Sequence, residues 1–452
     1  MSDQDFLPFA KKMRAAHVMD PAIRAFERNY HALRREETGT IRESDIQLLE
    51  NLDAYSGEPE AFDPDLLSQT VIIKLNGGLG TSMGLEKAKT LLEVRPDTNF
   101  LDLIVRQVES LRASTNSAVQ LLLMNSFSTS DDTLNHLKTH APAGYRDPDE
   151  IELMQNQAPK IDAATLQPVR HPTNPDLEWC PPGHGDIYPA LLGSGWLDKL
   201  LDRGIKFAFV SNSDNLGATL SAELLRRFAE SDRSFLMEVT RRTESDRKGG
   251  HLAQRRADGQ LLLREVAQCD DADLDDFQNI ERHQFFNTNS IWLRLDRLKA
   301  QLEALDGVLP LPMIRNRKTV DPRNPDSTPV LQLETAMGAA IECFDDAWAL
   351  EVPRTRFAPV KTTADLFALR SDAYHIDDDG RVSLIPERHG KPPKITLDPR
   401  YKLIDSLESL GMPSLAKCQS LNIQGEVSFA DGVEITGHAS YDGTTKPVHV
   451  TP

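Results

Sequence analysis

The feature that most limits how this chain can fold is a rhythm between residues 66 and about 370. Short β-branched and apolar runs at 71–75, 119–124, 206–210 and 234–239 alternate with amphipathic stretches such as 100–112 and 218–229. Buried strands spaced by helices make βα units, because parallel strands need a crossover long enough to hold a helix. The rhythm predicts an α/β fold: a Rossmann-like central sheet, mixed but mostly parallel, with helices on both faces. At 452 residues the chain outgrows a single core. It divides into an N-terminal helical segment (1–65), a central domain (66–370) and a C-terminal domain (371–452).

The flanks carry their own patterns. Ile23, Phe26, Tyr30 and Leu33 recur at intervals of three and four, one face of a helix, before the chain loosens around YSGEPEAFDPD. Residues 306–329, rich in Pro, Asn and Asp, read as a long surface loop. Near the end, Leu421, Val427, Val433 and Ala439 are six apart, and so are Ile423, Phe429, Ile435 and Tyr441. That spacing suits a short hexapeptide β-helix, with an antiparallel hairpin pair as the alternative.

Composition excludes several classes. With 39% hydrophobic and 27% charged residues the chain is globular, and no apolar run approaches the roughly 20 residues that span a bilayer. No long hydrophobic signal region opens the sequence, so a cytoplasmic protein without a membrane partner is expected. Cys180, Cys269, Cys343 and Cys418 lie far apart and form no CxxC pair, which disfavours zinc knuckles and disulfide scaffolds. A formal charge of −18 repels nucleic acid. If such a chain handles phosphates, a few locally placed cations must do it.

Four segments have the look of loops at the carboxyl ends of strands, where unpaired N–H groups meet ligands. The first, KLNGGLGTSMGLEKAK, follows an apolar strand with Gly77, Gly78 and Gly80, which let backbone approach a ligand closely. It is no P-loop, and Gly78-x-Gly80-x-x-x-Gly84 misses the dinucleotide fingerprint. A structural turn is the competing reading. Lys89, and less so Lys87, follows at a distance suited to the outer phosphates of a nucleotide. The second, WCPPGHGDIYPAL, holds His184 between Gly183 and Gly185 in a proline-stiffened loop, placed to bond a hydroxyl or phosphate.

The third, FAFVSNSDNLGA, brings Asn212 and Asp214 to the sheet edge, where a carboxylate can hold Mg²⁺ with substrate phosphates. Helix capping is the alternative for Asp214. In the fourth, VPRTRFAPVKTTADLF, Lys361 precedes a helix-opening pattern, so its ammonium and a helix N-terminus would both favour an anion. FFNTNSIWL adds Asn287 and Asn289, suited to sugar hydroxyls or to a turn.

Together with FLDLIVRQVE, LLLMNSFSTS, MEVTRRTESDRKGG and LQLETAMGAAIECF, these segments resemble, in order, the eukaryotic-type UTP:glucose-1-phosphate uridylyltransferase family, over residues 66–435. The resemblance implies a nucleotidyltransferase fold with a small left-handed C-terminal β-helix. It also implies the reaction of UTP with glucose 1-phosphate to UDP-glucose and pyrophosphate, with Mg²⁺ as cofactor. Carried over by residue, Leu75, Asn76, Gly77 and Gly78 receive the uridine nucleotide, and Gln155 reads the uracil edge. Lys89 meets phosphate, Gly183 the nucleotide and His184 the sugar phosphate. Asn212 and Asp214 belong to the nucleotide, sugar and Mg²⁺ site, Asn289 contacts sugar, and Lys361 is catalytic.

Three departures from the family stand out. Glu86-Lys87-Ala88 replaces the usual Lys-Gly-Pro, Ser290 stands where a second asparagine is common, and the C-terminal repeat is short. That last departure leaves monomer and homo-oligomer both open. Two other functions fit the same motifs: a UDP-N-acetylhexosamine or broad UDP-sugar pyrophosphorylase, and a non-catalytic nucleotide-sugar-binding relative. A nicotinamide-dependent oxidoreductase is disfavoured by the glycine spacing.

Overall fold

Residues of the central strands alternate between two apolar clusters, and that alternation builds the molecule. In the computed structural model, which describes residues 4–57 and 61–452, Val71 and Ile73 enter one cluster while Ile72 enters the other. Leu122 and Met124 likewise oppose Leu121 and Leu123. A strand buried on both faces must be apolar on both, which is why these runs read as continuous hydrophobic stretches.

Along the main path of the large sheet the strands are β1 (Asp53–Ala54), β2 (Thr70–Asn76), β3 (Gln120–Asn125), β4 (Glu152–Met154), β5 (Phe207–Asn212), β6 (Phe235–Arg241), β7 (Phe285–Arg294) and β8 (Trp348–Glu351). They lie in the order β1-β8-β6-β7-β5-β2-β3-β4. Only β7 runs against its neighbours, β5 and β6; every other pair on this path is parallel.

Helices cover both faces, as the sequence rhythm requires. Phe100–Thr115, Ala222–Glu230 and Thr363–Arg370 bury their apolar sides in the cluster that holds Ile72. Ile187–Gly193, Trp196–Asp202 and Leu295–Ala304 do so in the cluster that holds Val71. Phe100–Thr115 starts at a reciprocal cap between Asn99 and Asp102. The helix expected over 218–229 begins only at Ala222, because the Ser221 hydroxyl accepts from the Leu224 N–H.

The flanks depart from expectation in two places. Within 1–65, Leu7–Ala15 and Asp20–Arg34 are helical, and Phe9, Phe26 and Tyr30 pack with Ile161, Leu331 and Leu333. Beyond them Glu36 and Gly39 take positive φ, and the chain turns into short strands rather than helix. Ile46–Gln47 pairs with Gln254 and Arg255, and β1 joins the edge of the main sheet. Residues 58–60 of the loose stretch lie outside the described residues. The segment 306–329 is not all loop: Ile314–Thr319 pairs antiparallel with Pro329–Glu334 and points Arg315 and Arg317 outward.

At the C-terminus Lys394–Thr396, Cys418–Phe429 and Gly437–Val450 form a parallel ladder, which rules out the antiparallel hairpin pair. Leu421 lies opposite Ala439 and Ile423 opposite Tyr441, three six-residue steps apart. The inward residues Leu421, Ile423, Val427 and Phe429 belong to the same cluster as Ile72 and Phe209.

Candidate active site

From β2 the chain builds β3 and β4 to one side, and returns to β5 on the other. The carboxyl ends of β2 and β5 therefore flank a topological switch point, where an open α/β sheet leaves a crevice. Every loop singled out in the sequence converges there.

The glycine loop leaves β2 through Asn76, whose amide is fully committed. Its Nδ2 donates to Asn125 Oδ1 (2.7 Å) and Thr133 Oγ1 (3.0 Å), and its Oδ1 accepts from Thr90 (2.7 Å). At 2% exposure, Asn76 shapes the loop from beneath and offers no side-chain atom to a ligand. Gly77 is hemmed in: a Cβ there would stand 2.6 Å from Gln155 Oε1. The Gly77 carbonyl accepts from the Ser126 hydroxyl (2.8 Å), and Gln155 Nε2 donates to the Gly183 carbonyl (2.9 Å). Gln155 thus ties the first loop to the second. Gly78 is exposed with open space above it, and its carbonyl accepts from the Lys89 N–H (3.2 Å), which folds the loop back on itself.

The third and fourth loops are knitted together. Ser213 donates through its N–H (3.2 Å) and its hydroxyl (2.8 Å) to the Leu75 carbonyl, joining the β5 loop to the glycine loop. Asn215 bonds the Arg356 carbonyl and the Ala358 N–H, both at 3.0 Å, and the Asp214 carbonyl accepts from Val360 (3.1 Å). These bonds hold Lys361 beside Asp214. Asp365 receives the N–H groups of Lys361 and Thr362 at 2.9 and 2.8 Å and fixes the start of the following helix. The Lys361 side chain is exposed and has no ion-pair partner among the described residues.

Lys89 Nζ meets Asp214 Oδ2 at 2.7 Å, both side chains under one-fifth exposed. The other carboxylate oxygen, Oδ1, is buried and has no hydrogen-bond partner among the described residues. An ionised oxygen left this way is costly unless a cation comes to it. That donor fits a divalent ion. No group of three or more His, Cys, Asp or Glu is placed to hold a metal among the described residues. Asp214 would be the single carboxylate ligand, with substrate oxygens completing the set.

A cleft of about 320 Å³ opens beside this pair, lined by His184, Asn212, Gly250, Glu265, Asn287, Asn289 and Lys361 among others. Asn289 reaches it through a β-bulge: the β6–β7 register slips between Glu238 and Val239, and Asn289 takes φ +59°. Asn is among the few residues that tolerate this region, and the bulge re-aims one side chain of an otherwise regular strand. Asn287 Oδ1 accepts from the Asn289 N–H (2.9 Å), which fixes the bulge. His184 Nδ1 accepts from the Met337 N–H (3.0 Å), leaving Nε2 toward the Asn289 amide (3.5 Å). Burial pushes His184 down to about 4, so the ring is neutral at physiological pH.

The structure thus links Leu75, Gly77, Gly78, Lys89, Gln155, Gly183 and Asp214 through direct contacts, and gathers His184, Asn212, Asn289 and Lys361 on one cleft. Lys87 is exposed beside the loop. Sequence reasoning missed Glu265, whose carboxyl burial pushes up while the Lys361 charge pulls it down. Nothing around a lone glutamate in LLLREVAQC marks it. It also missed Lys74, although a lysine inside the apolar run VIIKL is a visible anomaly.

Comparison with known proteins agrees with this geometry. A family model described as UTP–glucose-1-phosphate uridylyltransferase matches residues 22–436. The enzyme of that name from Solanum tuberosum is 41% identical over 384 residues, 84% of this chain and 78% of that protein. Among solved structures, a point mutant of UDP-glucose pyrophosphorylase from Leishmania major in complex with UDP-glucose superposes with a TM-score of 0.93. It is 46% identical and covers 99% of each chain. UDP-glucose phosphorylase from Trypanosoma brucei gives 0.91 at 46% identity, covering 99% of this chain and all of that one. Matched over nearly its full length in this way, the chain belongs to the UTP–glucose-1-phosphate uridylyltransferase family.

Proposed function

We propose that this chain joins UTP and α-D-glucose 1-phosphate to give UDP-glucose and pyrophosphate. A sugar-phosphate oxygen attacks the α-phosphorus of UTP in line; one P–O bond forms as the bond to pyrophosphate breaks. No side chain becomes covalently attached, since nothing in the arrangement calls for a protein nucleophile. The obstacle is bringing two anions together, and the site answers it with charge and position.

Backbone at Gly77 and Gly78 leaves room for the nucleotide, with Gln155 at its base-reading end. Lys89 leaves Asp214 for the outer phosphates. Lys361 meets the attacking phosphate and the developing charge at the α-phosphorus. Neutral His184 donates from Nε2, and Asn289, Asn287 and Glu265 bond sugar hydroxyls. Asp214 would hold Mg²⁺, which supplies neutralising charge to the phosphates when bound. The observation that carries this reading is the convergence, at a single sheet edge, of an orphaned Asp214 oxygen with one lysine in an ion pair and another outside any ion pair among the described residues.

No helix among the described residues is long and apolar enough to cross a membrane. The place of work proposed for the chain is the cytoplasm. The decisive assay takes purified protein, UTP and Mg²⁺ with glucose 1-phosphate, N-acetylglucosamine 1-phosphate and other sugar 1-phosphates, and reads pyrophosphate. Glucose 1-phosphate is expected to give the highest kcat/KM, and pyrophosphate release is expected to vanish on chelation. A preference for the N-acetylated sugar would move the assignment to the hexosamine enzyme; no release with any sugar would end it.

A further inference from the structure

Lys74 lies within β2 at 3% exposure, flanked by the apolar residues Val71, Ile72, Ile73 and Leu75. Its Nζ donates to Ser211 Oγ (2.9 Å) and to the Ala218 carbonyl (2.7 Å). Ser211 is its direct register partner on β5. These two residues bracket the loop that carries Asn212, Asp214 and Asn215, so one ammonium pins both ends of it. No carboxylate stands within ion-pair distance of Lys74 among the described residues. The charges that act on it are Arg356, which opposes its protonation, and Glu238 and Asp214, which favour it; burial lowers it most, to about 7.

A hydroxyl and a carbonyl are satisfied as well by a neutral donor, and burying an ammonium costs far more than burying an amide. The charge therefore does something the two hydrogen bonds do not need. Glu238 and Asp214 are the carboxylates that this charge favours, and of the two Asp214 is the one whose ion-pair partner, Lys89, leaves on nucleotide binding. We infer that Lys74 is a positioning residue: it clamps the Asp214 loop from beneath the sheet and, in its protonated form, adds positive charge to the field at that carboxylate. The inference rests on the proposed uridylyl transfer, in which Lys89 changes partners.

The test compares wild type with Lys74→Gln, which keeps a donor and removes the charge. Binding of UTP with Mn²⁺ is measured by calorimetry, and steady-state kinetics and thermal midpoint are measured alongside. Affinity for Mn²⁺–UTP and kcat are each expected to fall at least tenfold. The KM for glucose 1-phosphate should change less than the affinity for Mn²⁺–UTP, because His184 and Asn289 stand on other elements, and the thermal midpoint should not fall. In a double-mutant cycle, Lys74→Gln should add less than about twofold to the loss caused by Asp214→Asn.

Wild-type nucleotide affinity and turnover in Lys74→Gln, or losses that multiply in the cycle, overturn the inference. So does a variant whose only defect is a lower thermal midpoint. Should Lys74→Gln not fold, Ser211→Ala removes one arm of the clamp and replaces it in the cycle, where multiplying losses overturn the inference equally. If the wild-type chain releases no pyrophosphate, the assigned reaction fails instead, and the Mn²⁺–UTP affinities alone still decide the role of Lys74.

Discussion

At the scale of single residues, the site separates its cations by how committed they are. Lys89 is paired with Asp214, whereas Lys361 has no ion-pair partner among the described residues. Lys361→Ala should therefore leave folding nearly untouched and lower kcat by about 10² to 10³, the loss of ~3–4 kcal/mol typical when one group that stabilises transition-state charge is removed. Steady-state kinetics beside a melting curve check both halves; wild-type turnover would remove Lys361 from its role. His184 yields a pH prediction. Its folded value, about 4, lies below the usual 6.5, so between the two the unfolded chain binds the extra proton. The stability of neutral His184 is complete above about pH 6.5 and is lost as pH falls through about 4. Replacing it with leucine should flatten the acid side of the stability profile over that window. Denaturant midpoints of the two proteins at pH 7, 5.5 and 4.5 measure the difference, which should shrink on acidification.

At the scale of elements, a buried ion pair is one anchor of the segment that delivers Lys361. Glu238 on β6 is fully buried and accepts from Arg356 Nε and a terminal guanidinium nitrogen, each at 2.8 Å, and from Trp292 Nε1 at 2.9 Å. Arg356 is also covered by Tyr55. Breaking such a pair strands a charge in the interior, so Arg356→Met should cost about 3–5 kcal/mol in urea unfolding. Pairing it with Glu238→Gln should recover a large part, because the stranded charge is gone. A double variant no more stable than Arg356→Met would contradict this account. The elements differ in how visible they were beforehand. β2, β3, β5 and β6 could be read because two-sided burial leaves unbroken apolar runs. Ile314–Thr319 could not, since IRNRKT becomes a strand only against the facing Pro329–Glu334 and keeps its charges outside. Asn289 was picked out by its type, yet the bulge that aims it exists only in the β6–β7 register. Glu265 sits on the cleft through tertiary packing alone, and Asn76, read as a ligand contact, proves to be committed to its neighbours.

At the scale of the whole molecule, the C-terminal ladder is joined to the sheet rather than appended to it. Leu421, Ile423 and Val427 share an apolar cluster with Ile72, Phe209 and Trp292. Thr363, which opens the helix after Lys361, donates to the Tyr401 carbonyl (2.7 Å), and the Tyr401 hydroxyl bridges the N–H and carbonyl of Val427 at 2.8 Å each. A shared core predicts shared unfolding. Gly425 allows a direct test, because it takes φ +69° and a Cβ there would stand 2.2 Å from the Gly443 carbonyl carbon on the next strand. Gly425→Ala should cost about 2 kcal/mol or more through strain and backbone displacement in the ladder. All four tryptophans, Trp179, Trp196, Trp292 and Trp348, precede the ladder strands, which begin at Lys394, so their fluorescence reports the region before the ladder. If the two regions unfold as one body, the tryptophan midpoint in urea should drop together with the far-ultraviolet circular dichroism midpoint. A tryptophan transition that stays in place while the dichroism splits into two steps would mean that the ladder unfolds by itself. The apolar contact between them would then be too weak to couple events at the C-terminus to the loops that meet at the end of β2.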